Sequence, residues 1–181
     1  MTSELVRHAK NGDADALGDV SARSWEAKYR GMIPDAALDE WIGSTHEAWR
    51  EALPQMGAGS ASRCWVAERD GSVIGYATTA PARSNWLPPP DGAGELTNLY
   101  LDPDAIGGGV GRLLYEHAVE DLRERGFDPL LVWAFRDNHR ARRFYAACGL
   151  TIDVHGHAWI LAEVPCPIVR FRGDLTPAEG R

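Results

Sequence analysis

Seven consecutive residues near the middle of the chain, Ile106-Gly107-Gly108-Gly109-Val110-Gly111-Arg112, are of the kind that hold a phosphate ester. They follow a strand-like run, ELTNLYL, closed by Asp102-Pro103, and they lead into a helix-like stripe. A helix that starts inside such a loop offers unpaired N–H groups and the positive end of its dipole, which suits a diphosphate. Glycines let the backbone curl inward and let phosphate oxygens approach with no Cβ in the way. A glycine-rich turn that only joins strand to helix has the same composition, so the loop by itself leaves both readings open. Two familiar ligands are disfavoured. A nucleotide-triphosphate loop needs Lys then Ser or Thr after its last glycine, where Arg112-Leu113 stand. The dinucleotide pattern GxGxxG begun at Gly107 needs glycine at 112, and the loop does not belong to a first strand–helix unit.

Downstream lie Asn138-x-x-Ala141-x-x-Phe144-Tyr145 and then Gly149-Leu150. With the glycine loop at fitting spacing, these make residues 94–150 resemble the Gcn5-related N-acetyltransferase (GNAT) family. The acetyl-CoA loop of that family has the form Arg/Gln-x-x-Gly-x-Gly/Ala. Gly109-Val110-Gly111 match it, whereas the first position is Ile106, so backbone amides would have to carry the pyrophosphate. The resemblance implies an acyl-CoA-dependent N-acyltransferase that moves an acetyl group from acetyl-CoA to a primary amine of a small molecule or peptide in a ternary complex, without a metal. A catalytically silent acyl-CoA-binding or sensing module is the alternative, and Ile106 is its sequence support. A larger acyl group is a third reading.

By the same resemblance, the pantetheine arm pairs with the backbone around Leu99, Tyr100 and Leu101. Ile106, Gly107, Gly108, Gly109, Val110, Gly111 and Arg112 hold the pyrophosphate, with Arg112 either near the 3′-phosphate or simply an exposed helix arginine. Asn138 meets the cofactor arm near its thioester end, or caps a helix, or both. The acceptor amine resembles lysine, with a pKa of about 10.4, and arrives mostly protonated, so a base is useful. Glu95, 11 residues before Ile106, has a spacing that resembles the catalytic glutamate of histone-type members. Alternation would put it on one strand face with Thr97 and Leu99; a solvated carboxylate is the competing reading. Tyr145 occupies the family's general-acid position, from which a phenol protonates the departing thiolate; the alternative is an aromatic packed on the sheet.

The family builds its acceptor site from the first two helices, the hairpin loop and the late strands. That points to Trp25, Tyr29, Trp86 and His155, with Trp41 and Trp159 beside them. Seven tryptophans are many for this length, and aromatic walls hold either an apolar group or an ammonium. Trp41 and Trp49 also sit on an amphipathic stripe that suits the core. Glu26, Asp35 and Asp39 either attract a cation or form a solvated face.

The elements that must position these residues read as follows. Leu5–Ala9 forms a first strand, Asp13 to about Tyr29 a helix, and a second helix opens after Pro34 with Leu38, Trp41, Ile42, Thr45 and Trp49 at helical spacing. Arg63–Glu68 and Ser72–Thr79 form a hairpin through Asp70-Gly71. Residues 57–62 and 85–94 are loops. A helix carries Val110, Leu113, Leu114, Ala118 and Leu122 and stops at Gly126. Leu130–Phe135 is a strand buried on both faces. A short helix capped by Asp137 or Asn138 stops at Gly149, and strands follow at about 151–160 and 167–173, before a polar tail at 174–181. The expected fold is α/β in the mixed α+β sense: one domain over 1–181, with a central, mostly antiparallel sheet of six to seven strands and helices on both faces.

Cys64, Cys148 and Cys166 form no CxxC pair, and neither they nor the six histidines offer metal-ligand spacing. A hydrophobic content of 44% against 25% charged residues argues for a globular chain. The net charge of −7 argues against nucleic acid or an anionic membrane as partner. The start has no apolar leader and no run is long enough to span a membrane, so a cytoplasmic protein is expected. A homodimer is expected by analogy, through 167–175 as an exposed edge.

Overall fold

The computed structural model describes residues 4–57, 59–83 and 87–175. Seven strands form one sheet: β1 (Glu4–His8), β2 (Arg63–Arg69), β3 (Ser72–Pro81), β4 (Gly94–Leu101), β5 (Leu130–Phe135), β6 (Thr151–Leu161) and β7 (Val164–Gly173). Their order across the sheet is β1-β2-β3-β4-β5-β7-β6. Every neighbouring pair is antiparallel except β4 and β5, which run parallel. The mixed, mostly antiparallel sheet expected from the sequence is therefore present.

Two helices cover each face. On one, α1 (Ala14–Tyr29) and α2 (Asp35–Ala52) bury Leu17, Val20, Trp25, Leu38 and Trp49. Gly18 lets them approach closely, since a Cβ there would stand 2.6 Å from the ring of His46. On the other, α3 (Val110–Glu124) and α4 (His139–Ala147) form the larger core with Leu96, Leu130, Val132 and Phe171. Leu114 and Leu122 of α3 are fully buried, which stabilises their side chains by roughly 2 kcal/mol each. Asp121, also on α3, is buried and accepts hydrogen bonds from Arg63 (2.6 Å), Thr79 (2.7 Å) and Arg125 (3.0 Å). This network ties α3 to β2 and β3, and so fixes where its N-terminal loop lies.

The expectation for the chain end needs correction. The last strand starts at Val164, ahead of the expected 167, and turns back from β6 through Ala162 and Glu163, both at positive φ. β5 pairs with β7 only from Ile168 onward, so Pro165 and Pro167 lie where one side of β7 has no neighbouring strand and a missing N–H is tolerated. β7 is thus internal, and β6 is the edge strand at that end of the sheet. Among the described residues no helix is long and apolar enough to cross a membrane.

Candidate active site

The parallel pair β4–β5 is joined at only two positions, Gly94 with Leu130 and Glu95 with Leu131. Past Glu95 the strands diverge. β5 keeps its ladder with β7 as far as Phe135, so the side of β4 that faced β5 is left without a strand partner from Leu96 onward. Backbone N–H and C=O groups at such a gap need partners when covered. An extended amide-bearing chain laid there would supply them.

β4 carries a second irregularity. Thr78 of β3 pairs with Asn98 and Thr79 with Leu96, leaving Thr97 as an extra residue. A bulge of this kind reverses the alternation of side chains beyond it. Leu99 and Leu101 consequently pack with the α3/α4 core, whereas Tyr100 packs with the α1/α2 side. Simple alternation placed Leu99 on the face of Glu95; the bulge puts it on the other.

The two faces open into two cavities. One, of about 350 Å³, is lined by Leu99, Leu101, Ile106, Gly107, Gly109, Gly111, Arg112, Ala141, Phe144 and Tyr145, with Lys28 and Arg140. Gly107 and Gly109 have φ of 99° and 90°, a conformation that glycine adopts without a Cβ penalty. Their N–H groups, and that of Gly108, find no backbone acceptor among the described residues. Gly111 lies where α3 meets β4, since a Cβ there would stand 3.3 Å from Leu101. The loop therefore combines free N–H donors, a helix N-terminus and three nearby cations, which is the chemistry of a diphosphate cradle. Ile106 is in the lining, but Val110 is fully buried in the core and Gly108 is not part of the cavity wall. Arg112 is exposed and paired with Glu116 at 2.7 Å.

The other cavity, of about 580 Å³, has an aromatic end and a polar end. Trp25, Tyr29, Trp41, Trp133, Phe135 and Trp159 form the first, and Thr78, Arg83, Glu95, Thr97 and Asn98 belong to the second. Trp25 and Tyr29, expected at the acceptor site, both line this cavity. Trp49 is core and donates its indole N–H to Ser21 at 2.8 Å, but Trp41 is 39% exposed and stacks on Trp25. His155 is exposed, in the irregular stretch of β6 beside Gly156, and lines neither cavity. Trp86 lies outside the described residues.

A narrow space in the β4–β5 gap joins the two. Lys28, Leu99, Ala141 and Tyr145 are shared with the glycine-loop cavity, and Tyr29, Thr97, Asn98, Tyr100, Trp133 and Ala134 with the aromatic one. Asn138 also lines this waist and is buried; its side chain caps α4, accepting from the Ala141 N–H at 3.1 Å. Tyr29, Tyr100 and Asn138 meet at this waist, which brings the end of α1 against β4 and the start of α4. Burial, with Tyr29 nearby, pushes the Tyr145 phenol above its ordinary value, so it stays protonated.

Burial also raises the Glu95 carboxyl, opposed by the Arg83 N–H at 3.4 Å and by the charges of Arg83 and Arg170. Lys28 was not singled out from sequence as a site residue. Its ammonium stands 5.2 Å from the Tyr100 ring centre and 5.9 Å from that of Tyr29. No carboxylate pairs with it among the described residues. Burial, then the charge of Arg140, brings it down to about 8. Trp133, Phe135, Thr78 and Arg140 were not singled out from sequence; their role at the site depends on which strands become neighbours.

Proteins of known sequence and structure show the same plan. An uncharacterized N-acetyltransferase of Archaeoglobus fulgidus is 30% identical over 140 residues, covering 76% of this chain and 88% of its own length. The PaiA N-acetyltransferase of Thermoplasma acidophilum, solved in complex with coenzyme A, superposes with a TM-score of 0.74 at 19% identity, over 93% of this chain and 98% of its own. A Salmonella typhimurium protein solved with its cofactor acetyl-CoA gives a TM-score of 0.69 at 19% identity, over 99% and 98%. The model of the Acetyltransferase (GNAT) family matches residues 24–150, a span that holds the glycine loop, the open strand pair and Tyr145. With this much of the chain matched, and the site inside the matched span, the protein belongs to the GNAT family of acetyltransferases.

Proposed function

We propose that this chain transfers an acetyl group from acetyl-CoA to a primary amine by direct attack in a ternary complex. The observation that carries the reading is the junction of two differently built cavities at the β4–β5 gap, with Tyr145 in the wall of the junction. Acetyl-CoA brings a thioester, an acyl group already activated for attack. The backbone of β4 past Glu95 pairs with its amide-bearing arm, and the loop 106–112 binds its diphosphate through backbone N–H groups. Lys28, Arg112 and Arg140 add positive charge to that cavity, so the loop does not depend on a polar side chain at position 106.

Glu95 accepts the proton of the incoming ammonium, directly or through water. Being raised by burial, it is a better proton acceptor than an exposed carboxylate. Asn98 and the hydroxyls of Thr78 and Thr97 lie between it and the waist and offer a polar path. Tyr145 keeps its proton at working pH and donates it as the C–S bond breaks and the thiolate forms. Alignment of the two substrates at one gap supplies much of the remaining acceleration.

Calorimetric titration with acetyl-CoA, CoA and ATP tests the reading, followed by thiol release with a panel of amines. Micromolar binding of the CoA species without ATP binding, and amine-dependent thiol release, are expected. Binding without release under any amine would favour the silent module. A homodimer through the β6 edge is part of the proposal, because Ile160 and Val164 at its hairpin end are 59% and 45% exposed; light scattering showing a monomer at micromolar concentration would remove it.

A further inference from the structure

The aromatic cavity has a chemistry that narrows its ligand, and the inference drawn from it rests on the acetyl-transfer reading. Its walls are two stacked pairs. Trp25 lies on Trp41 with centroids 4.7 Å apart and planes at 25°, and Phe135 lies on Trp159 at 5.8 Å and 8°. The pairs meet edge to face: Trp25 and Trp159 at 6.3 Å and 87°, Trp41 and Trp159 at 5.8 Å and 88°. Rings from α1, α2, β5 and β6 thus pack on one another, and the two stacked pairs meet at nearly a right angle, an aromatic corner into which a planar ring fits.

Charge in the cavity is sparse. Glu95 is the one carboxylate and Arg83 the one cation among its described lining residues. Several aromatic faces near the waist are already taken by cations of the protein. Arg170 lies over Trp133 at 5.6 Å, and Lys28 over Tyr100 and Tyr29. A ligand with two or more ammonium groups would find one carboxylate and meet repulsion from Lys28, whereas the Arg170 charge is already paired with Asp153 at 2.8 Å. A peptide would find little to bond its backbone, because the polar side chains are largely engaged with each other. Thr78 and Thr97 hydroxyls are 2.6 Å apart, the Asn98 amide donates to Thr78 at 2.7 Å, and Thr97 donates to the Thr78 carbonyl at 3.2 Å.

We infer that the acceptor is a primary monoamine carried on a flat apolar body, an arylalkylamine, whose ring lies against Trp25, Trp41 and Trp159 and whose amine reaches the waist beside Asn98 on the side of Glu95. The ammonium first gives one proton to Glu95; the free amine then forms the new N–C bond to the acetyl carbon, the thioester C–S bond breaks, the thiolate takes a proton from Tyr145, and the second proton lost by the nitrogen returns to the Tyr145 phenolate.

The test is a thiol-release series at fixed acetyl-CoA with 2-phenylethylamine, an indolyl ethylamine, n-octylamine, spermidine, glucosamine and an alanine-initiated hexapeptide. The aryl amines should exceed n-octylamine in kcat/KM by roughly tenfold, and spermidine and the peptide by more, given one additional aromatic contact worth about a factor of ten. Trp159→Ala should raise the KM for the aryl amines about tenfold or more, with acetyl-CoA affinity by calorimetry unchanged. Trp41→Ala, at the exposed rim, should act in the same direction and covers the case in which the Trp159 variant does not fold. Preferred turnover of spermidine, glucosamine or the peptide, or acetyl-CoA binding with no turnover of any aryl amine, overturns the acceptor class and leaves the donor site standing. Absence of acetyl-CoA binding together with absence of turnover overturns the transfer reading beneath it.

Discussion

The hydroxyls of Thr78 and Thr97 stand 2.6 Å apart across the β3–β4 ladder, and this contact pins the one residue of β4 that has no partner opposite it. Thr78 is almost fully buried and also accepts from Asn98. Because of that extra residue, Glu95 and Tyr100 serve the aromatic cavity while Leu99 and Leu101 serve the glycine-loop cavity. Had the ladder been regular, the leucines and the glutamate would share a face.

Thr78→Val should therefore lower stability by about 1–3 kcal/mol, because the Asn98 amide and the Thr97 hydroxyl lose their partner inside the fold. Urea denaturation measures it. The same variant should reduce kcat/KM for the amine, and retention of both stability and activity would mean the contact does not hold the bulge.

Tyr145→Phe should lower kcat by about 10²-fold or more at neutral pH and leave acetyl-CoA affinity nearly unchanged. The variant keeps the ring packing against Phe144 and Phe171, so folding is preserved. Single-turnover kinetics separates the chemical step from product release. Full activity would end the assignment of proton donation to this phenol.

Glu95 predicts an acid limb in the pH dependence of kcat/KM. The base form is required, and burial lifts the carboxyl above its ordinary value, so activity rises with pH through a midpoint above that of an exposed carboxylate. In Glu95→Gln the carboxylate is gone; that limb should disappear, and the remaining activity should grow toward higher pH as free amine accumulates. An unaltered profile would locate the base elsewhere.

Lys28 predicts a stability effect of defined sign. Its folded value of about 8 lies below its ordinary one. Between about 8 and 10.4 the unfolded chain therefore binds the extra proton, and this residue's contribution to stability rises with pH across that window. Lys28→Met removes the penalty of a recessed ammonium flanked by Arg140 and the rings of Tyr29 and Tyr100. Its melting temperature should exceed that of the parent most at pH 7 and converge toward it near pH 10. A difference independent of pH would mean that packing, not charge, is what the substitution changes.

Local features were legible in the sequence because local rules make them. The loop 106–112 needs backbone conformations that glycine supplies, and Gly107 and Gly109 adopt them. Asn138 caps α4 through its own short-range hydrogen bond. The apolar stripes of α2 and α3 were read from a helical period, and the hairpin through Asp70-Gly71 from its turn residues. Those rules span a few residues, and nothing distant competes with them. The tertiary structure decided whatever required two distant segments to meet. The bulge at Thr97 exists only against β3. β7 lies inside the sheet because β5 and β6 take its two sides, and His155 faces outward where β6 loses register. Lys28 sits above Tyr100 because α1 crosses the splayed end of β4, and rings from α1, α2, β5 and β6 make one wall. Each is a choice of partner made by non-local burial, and a single sequence carries no short-range signal of which partners will be buried together.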